Sequence, residues 1–523
     1  MRTLPADIPR LLLANDVACF APAEPAVIEH GGGRIVKVAR AQRGEIEELA
    51  ARADSLDLRG YLVLPGLIDA HVHAITTGML MLTPDLHGEN SLASIEAAVR
   101  AEEQHGRDVL RLGGLDPSRL RLAAGECLDM AWLDGVAPAK SLVIKSVEGH
   151  SAWFNALAWD LLGVDTVLAR CGVDAARQGE MRESGRVHGS AYEELASSLY
   201  DTYSDEERRE GLELVLTRAA DVGLTCIHCL EGYGARRRSD FHLILDSRHG
   251  ACDLILYARD ETPQLAVELG VKRFGGCWCV DGAIGAHSAA ISEPYADKPG
   301  WHGELYFSED ELRSWIEAGL RQDMQVCVHA IGDRALAQVI GVYEELAGSY
   351  ELAPMRHRVD HFVLGTPELA GRAAGLGLVS AMQPAFDAFW GGPAGGYATR
   401  LGPARALRAN PVGEMISCGL RVAGSSDSYI TPLDPLSGIR AAMNHHNPSQ
   451  RVSFDTAVRL FTEDAAYLAH EEDIRGRIAT GYLADLTVVM GDRTLDGAKV
   501  AMTIKEGRAV YVACDASALL QTT

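Results

Sequence analysis

The chain has 523 residues, 47% of them hydrophobic and 23% charged, with a formal net charge of −23. That is more than one ordinary domain needs and suits an elaborated barrel with a smaller companion. The acidic balance excludes nucleic acid and acidic membrane as principal partners, and no apolar run is long enough to span a bilayer.

Near the N-terminus Leu11–Leu13 is soon followed by Asn15 and Asp16, which argues against a secretory h-region. The eleven cysteines show neither a disulfide framework nor zinc-ribbon spacing. Several, such as Cys226, Cys252 and Cys327, sit in apolar runs where reduced, buried thiols are expected. Both features predict a cytoplasmic protein. Leu11–Asn15, Ala26–His30 and Arg34–Val38 read as strands, and the glycines at 31, 32 and 33 read as a hairpin turn. The next strand is apolar from Tyr61 to Leu64, is interrupted by Pro65 and Gly66, and resumes through Leu67 and Ile68. It ends in Asp69, His71 and His73. Residues 80–215 are mostly helical in pattern, with one apolar run at Ser141–Val147. This exceeds a normal βα connection and predicts a helical insertion that caps or lines a barrel mouth.

After residue 212 the rhythm becomes strand, helix, strand. The strand candidates are Leu224–Leu230, Asp253–Tyr257, Phe274–Asp281, Gln325–His329, Arg358–Phe362, Leu378–Gln383 and Arg421–Ser425, with helices such as Glu309–Gln322 and Ala335–Leu346 between them. With the strand at residue 61 these make eight alternating units. The pattern predicts an α/β fold, a closed (β/α)8 barrel with its site at the C-terminal strand ends. Asp485–Met490, Val500–Ile504 and Ala509–Val512 return to short strands, with turns at Gly491 and at Glu506 and Gly507.

The strand ends carry the chemistry. Alternate strand residues share a face, so His71 and His73 point the same way. The fifth strand ends in His329, the sixth in His361 and the eighth in Asp427. A lone histidine is usually a satisfied polar residue. Four histidines and one aspartate at strand ends predict a divalent-metal site, with Zn²⁺ the best match to imidazole and carboxylate ligands. Such an ion acidifies a bound water, and a carboxylate beside it can move the proton to a leaving nitrogen. Asp427 is the candidate for that shuttle.

The run Pro65-Gly-Leu-Ile-Asp-Ala-His-Val-His73 resembles the first-strand signature of the amidohydrolase superfamily. The resemblance extends over nearly the whole chain, through EGHSAWFN (148–155), DGAIGAHSAA (281–290), EPYADKPGWHGEL (293–305), VHAIGDRA (328–335), RHRVDH (356–361), MQP (382–384) and GYLADLTVV (481–489). It is similar to the branch that contains N-substituted formamide deformylase. The resemblance implies a composite β-sandwich from residues 1–60 and 475–523, a barrel over 61–474 with an insertion at about 80–215, and metal-dependent hydrolysis of a carbon–nitrogen bond in a small molecule.

Three departures stand out. Relatives commonly carry a fourth-strand Lys that, when carboxylated, bridges two metals in binuclear members; here Cys277 holds the position. Cys277 is either a thiolate ligand or a small buried residue beside a single metal. Cys279 and Asp281 share its face by alternation. An expected Arg is His287, and Ala385 and Phe386 follow the MQP motif where a His is usual. Nearby Phe386, Phe389 and Trp390 would favour an apolar or aromatic group. The substrate-holding candidates are His150, Asp281 and His287. His228 and Glu231 cannot both face inward, and alternation does not choose between them. His445 and His446 read as an exposed loop. The expected partner is a small-molecule substrate, with a homodimer allowed. The competing readings are a mononuclear deaminase of an aminated heterocycle and a non-catalytic binding protein on the same fold.

Overall fold

The computed structural model describes residues 8–516 apart from 19–23, 53, 233–237, 261 and 515. Eight strands form one sheet in consecutive order: β1 (Leu67–Val72), β2 (Leu224–Glu231), β3 (Asp253–Ala258), β4 (Arg273–Cys279), β5 (Gln325–Ala330), β6 (Arg358–His361), β7 (Val379–Met382) and β8 (Arg421–Gly424). Every ladder between neighbours is parallel. The segment after β8 meets the end of β1. Val72 bridges Ser428 in parallel, the amide of Asp427 donates to the carbonyl of His71 at 2.9 Å, and the Ser426 amide donates to the Asp69 carboxylate at 3.0 Å. The fold is therefore the expected (β/α)8 barrel.

β1, β2, β3, β5, β6 and β7 are buried at every position, as both faces of a parallel strand must be when helices cover the outside. Several inward residues are small, including Ala70, Cys226, Cys327, Ala381 and Ala423. That leaves room for one buried polar layer. The Arg358 guanidinium donates to Asp360 Oδ2 at 2.5 Å and to the Ala70 carbonyl at 2.7 Å, and it lies 4.5 Å from the centroid of the Tyr257 ring.

The expected strand at 61–68 is two strands. Ser55–Pro65 belongs to a second sheet, where Leu64 pairs with Thr487, and β1 begins at Leu67. The chain passes from one sheet to the other at Gly66. A Cβ there would lie 2.4 Å from Thr225 Oγ1, so the close approach of the two sheets requires glycine.

The second sheet has seven strands, in the order Arg508–Val512, Lys499–Lys505, Leu486–Met490, Ser55–Pro65, Leu11–Val17, Ala26–Gly31 and Arg34–Arg40. It is built from both ends of the chain and encloses its own core, including Leu12, Ile28, Leu58, Val63, Val488 and Ile504. Its last strand curls back onto the 481–484 segment, with the Ile35 amide donating to Tyr482 O at 2.8 Å.

The insertion is not only helical. Val109–Leu115, Ser141–Ser146, Ser151–Phe154 and Arg186–His188 form a four-stranded sheet, parallel at its first pair and antiparallel after it. Ser141–Ser146 falls on the apolar run noted at 141–147, whereas the last two strands, of four and three residues, carry too little alternation to be read from sequence. The turn between Ser141–Ser146 and Ser151–Phe154 brings His150 over the barrel.

Candidate metal centre

The site sits where β1, β4, β5, β6 and β8 end. Three sets of side chains have one ligand-type atom each within 4.8 Å of one another: His71, His73 and Asp427; His71, Cys277 and His361; and Cys277, Cys279 and His329. His71 Nε2 and His73 Nε2 lie 3.4 and 3.3 Å from Asp427 Oδ1. Cys277 Sγ lies 3.8 Å from His329 Nδ1 and 4.0 Å from His361 Nε2. The six predicted ligand positions therefore converge, with His71 and Cys277 each common to two sets.

The backbone reaches this arrangement through unusual conformations. Cys277 (φ 69°), His361 (φ 79°) and Asp427 (φ 54°) all have positive φ, which costs about 1–3 kcal/mol per non-glycine residue and persists where the surroundings impose it. In β4 the cause is a bulge. Gly275 and Gly276 also have positive φ, and the register against β5 shifts between Phe274 and Trp278. A Cβ on Gly276 would lie 2.4 Å from the Glu231 carbonyl, so only glycine lets the bulge form. Asp427 sits where β8 gives way to the closing segment.

Three of the four imidazoles have a partner for the far nitrogen, while His329 Nε2 is buried without a hydrogen bond. His71 Nδ1 is 2.8 Å from Asp360 Oδ2, His73 Nδ1 is 2.7 Å from the Leu230 carbonyl, and His361 Nδ1 is 2.9 Å from Gln383 Oε1. These contacts fix ring orientation and turn a lone pair toward the centre. His71 Nε2 and Asp427 Oδ1 are buried without a hydrogen bond. Burial lowers the pKa of His73 and His329 and brings that of His361 down to about 4, which keeps the rings neutral and able to ligate. Burial opposes ionisation of Asp427, but His71, His73 and His361 outweigh it and hold its carboxyl below the usual range. Neutral imidazoles, an ionised carboxylate and orphaned buried ligand atoms fit a divalent cation.

A cleft opens over the centre, reached by Asp427, His329 and His150 and walled by Phe386, Trp390 and Tyr397. His150 Nδ1 is 2.8 Å from Glu193 Oε1. Burial disfavours its protonation, but Glu193 outweighs that and raises its pKa to about 9. The other two substrate candidates are placed differently. The Asp281 carboxylate accepts from the amides of Ala290, Ile331 and Gly332 at 2.8–2.9 Å, so it clamps the loop after β4 to the loop after β5. His287 Nε2 pairs with Asp297 at 3.0 Å, and Asp297 also holds Arg400, a residue of the cleft wall. His287 thus stands one ion pair behind that wall. Phe386 and Trp390 line the cleft, while Phe389 is exposed.

His228 faces the barrel interior, against Tyr257 and Arg358. Glu231 faces outward and accepts the Ile75 amide at 3.0 Å. His445 is buried beside Asp387, contrary to the exposed-loop reading, because the chain folds back onto Asn410, whose carbonyl lies 3.1 Å from His445 Nε2. Sequence reasoning left Asp360, Gln383 and Glu193 without roles. Two of them stand inside motifs that were visible, RHRVDH and MQP; Glu193 comes from the insertion helix Ser190–Tyr200, which no motif indicated.

Comparison with known proteins gives the family and the fold. The chain is 28% identical to the YtcJ protein of Bacillus subtilis (strain 168) over 88% of this chain and 90% of that one. It is 22% identical to N-substituted formamide deformylase of Arthrobacter pascens, over 88% and 89% of the two chains. The crystal structure of an uncharacterized metal-dependent hydrolase from Pyrococcus furiosus superposes with a TM-score of 0.67 at 24% identity, covering 93% of this chain and 99% of that one. The model of the amidohydrolase family matches residues 54–511, and the chain belongs to that family.

Proposed function

We propose that this protein is a metal-dependent hydrolase that cleaves the carbon–nitrogen bond of an amide, formamide or related N-acyl small molecule. His71, His73 and Asp427 would hold a catalytic divalent ion, with Cys277, His329 and His361 supporting a second ion or the same one. Zn²⁺ is the best match to a set of imidazoles, a carboxylate and a thiolate. When bound, such an ion lowers the pKa of a coordinated water and polarises a carbonyl oxygen.

The remaining work belongs to the chain. Asp427 accepts a proton from the attacking water and delivers it to the departing nitrogen. His150, kept cationic by Glu193, donates a hydrogen bond toward the substrate carbonyl. Phe386, Trp390 and Tyr397 exclude water and favour a substrate with an apolar or aromatic group. Asp281 and His287 act by holding the loops that shape the cleft. The observation that carries this reading is Asp427: ionised, buried, without a hydrogen bond at Oδ1, and facing both His71 and His73 and the open cleft.

The test is a panel of N-formyl and N-acyl aromatic amines, assayed for released amine, beside a panel of aminated heterocycles assayed for ammonia. Amine release is expected. Asp427→Asn should lower kcat by about 10²–10⁴ with KM little changed. Ammonia release alone would replace this reading with a deaminase, and unchanged turnover in Asp427→Asn would remove the assigned proton transfer.

A further inference from the structure

Cys279 has no role in the site described so far, yet it completes one of its three side-chain sets. Its Sγ is grouped with Cys277 and His329, all three buried. Alternation already puts both thiols of the Cys-Trp-Cys run on the barrel face, and the β4 bulge, with φ of 119°, 38° and 69° at Gly275, Gly276 and Cys277, sets where along the strand end they enter. Trp278 between them packs outward against Phe307 and Trp315. A regular strand would need none of this to bury two small residues. His361 is also at hand, with Nε2 4.0 Å from Cys277 Sγ and its ring centroid 4.3 Å from that of His329.

We infer that the centre has two unlike metal positions, and that the second is a thiolate-rich one in which Cys279 is a ligand together with Cys277, His329 and His361. Two thiolates and two imidazoles make a closed tetrahedral set of the kind that holds structural Zn²⁺. The His71, His73 and Asp427 position has only three protein ligands and faces the cleft, so it keeps a place for water and substrate. The division assigns organisation of the centre to the soft position and reaction to the harder one. Binding at the soft position releases the protons of both thiols to solvent as the metal–sulfur bonds form. The inference rests on the metal-dependent reading above and extends it.

The experiment is Co²⁺ reconstitution of the full-length protein, with metal content and the near-ultraviolet sulfur-to-cobalt charge-transfer band measured together. Wild type should bind two ions and show the band. Cys279→Ser should bind with about half the band intensity, Cys277→Ser likewise, and the double variant should lose it. Retention of the full band in Cys279→Ser overturns the role of Cys279 while leaving a metal site on Cys277. Absence of bound metal in wild type overturns the metal-dependent reading itself. Should Cys279→Ser not fold, ¹¹³Cd NMR of the wild type decides. A resonance in the two-thiolate range supports the inference; resonances confined to one thiolate or none overturn it.

Discussion

At the scale of single residues, the centre depends on groups that stand behind its candidate ligands. Asp360 accepts from Arg358 at 2.5 Å and lies 2.8 Å from His71 Nδ1; burial opposes its ionisation, but the Arg358 guanidinium and the hydrogen bond from His71 hold its carboxyl far below the usual range. Asp360→Asn should leave Arg358 as a buried charge without its counter-charge, a defect that costs about 3–5 kcal/mol. It should also loosen metal binding by about 10- to 100-fold, because His71 loses its orienting acceptor; urea unfolding and metal titration read the two effects separately. His150 titrates in the other direction. Its folded pKa is about 9 against an ordinary value of 6.5. The stability it contributes is therefore complete below about pH 6.5 and is lost as pH rises through about 9. Wild-type unfolding midpoints should fall across that window, and Glu193→Gln should flatten the fall.

At the scale of elements, the turn out of β1 is placed by helix packing. The helix Ala74–Met81 begins directly after His73 and crosses the helix Asp205–Asp221 at Gly78 and Gly211. A Cβ on Gly78 would lie 2.3 Å from the Gly211 backbone, so neither helix can give way by a side-chain rotation. Gly78→Ala should cost about 1–3 kcal/mol, the usual price of overpacking. It should also lower metal content, because the displaced helix carries the His73 end of β1 with it. Parallel measurement of unfolding midpoint and bound metal checks both; lost stability with full metal occupancy would show that the ligand end of β1 is held independently of this crossing.

At the scale of the whole molecule, the sheet made from the two chain ends is attached to the barrel through buried polar contacts. Thr487 Oγ1 donates to the Gly223 carbonyl at 2.7 Å, and Thr503 Oγ1 donates to the Ala220 carbonyl at 2.6 Å. The strand Ser55–Pro65 runs through Gly66 directly into β1. Sheet and barrel should therefore unfold in one calorimetric transition. Thr487→Val, which leaves the buried carbonyl without its hydroxyl donor, should shift that transition down by about 1–3 kcal/mol without splitting it. Among the described residues no helix is long and apolar enough to cross a membrane.

The barrel was legible in sequence because parallel strands buried on both faces must be apolar runs, and because helices must separate them. His71, His73, His329, His361 and Asp427 were legible because each stands just where such a run ends, and pleat geometry alone sends alternate residues to one side. Three things required the tertiary structure. The division of the 61–68 run between two sheets depends on which backbone approaches Gly66 from outside. The roles of Asp360, Gln383 and Glu193 depend on contacts between residues 22 to 289 positions apart. The closeness of the Cys277 and Cys279 thiols to His329 depends on a bulge that departs from strand geometry at three successive positive φ angles. A sequence records local conformational preference and periodic burial; which side chains meet across the mouth of a closed barrel is settled only when all eight strands are in register.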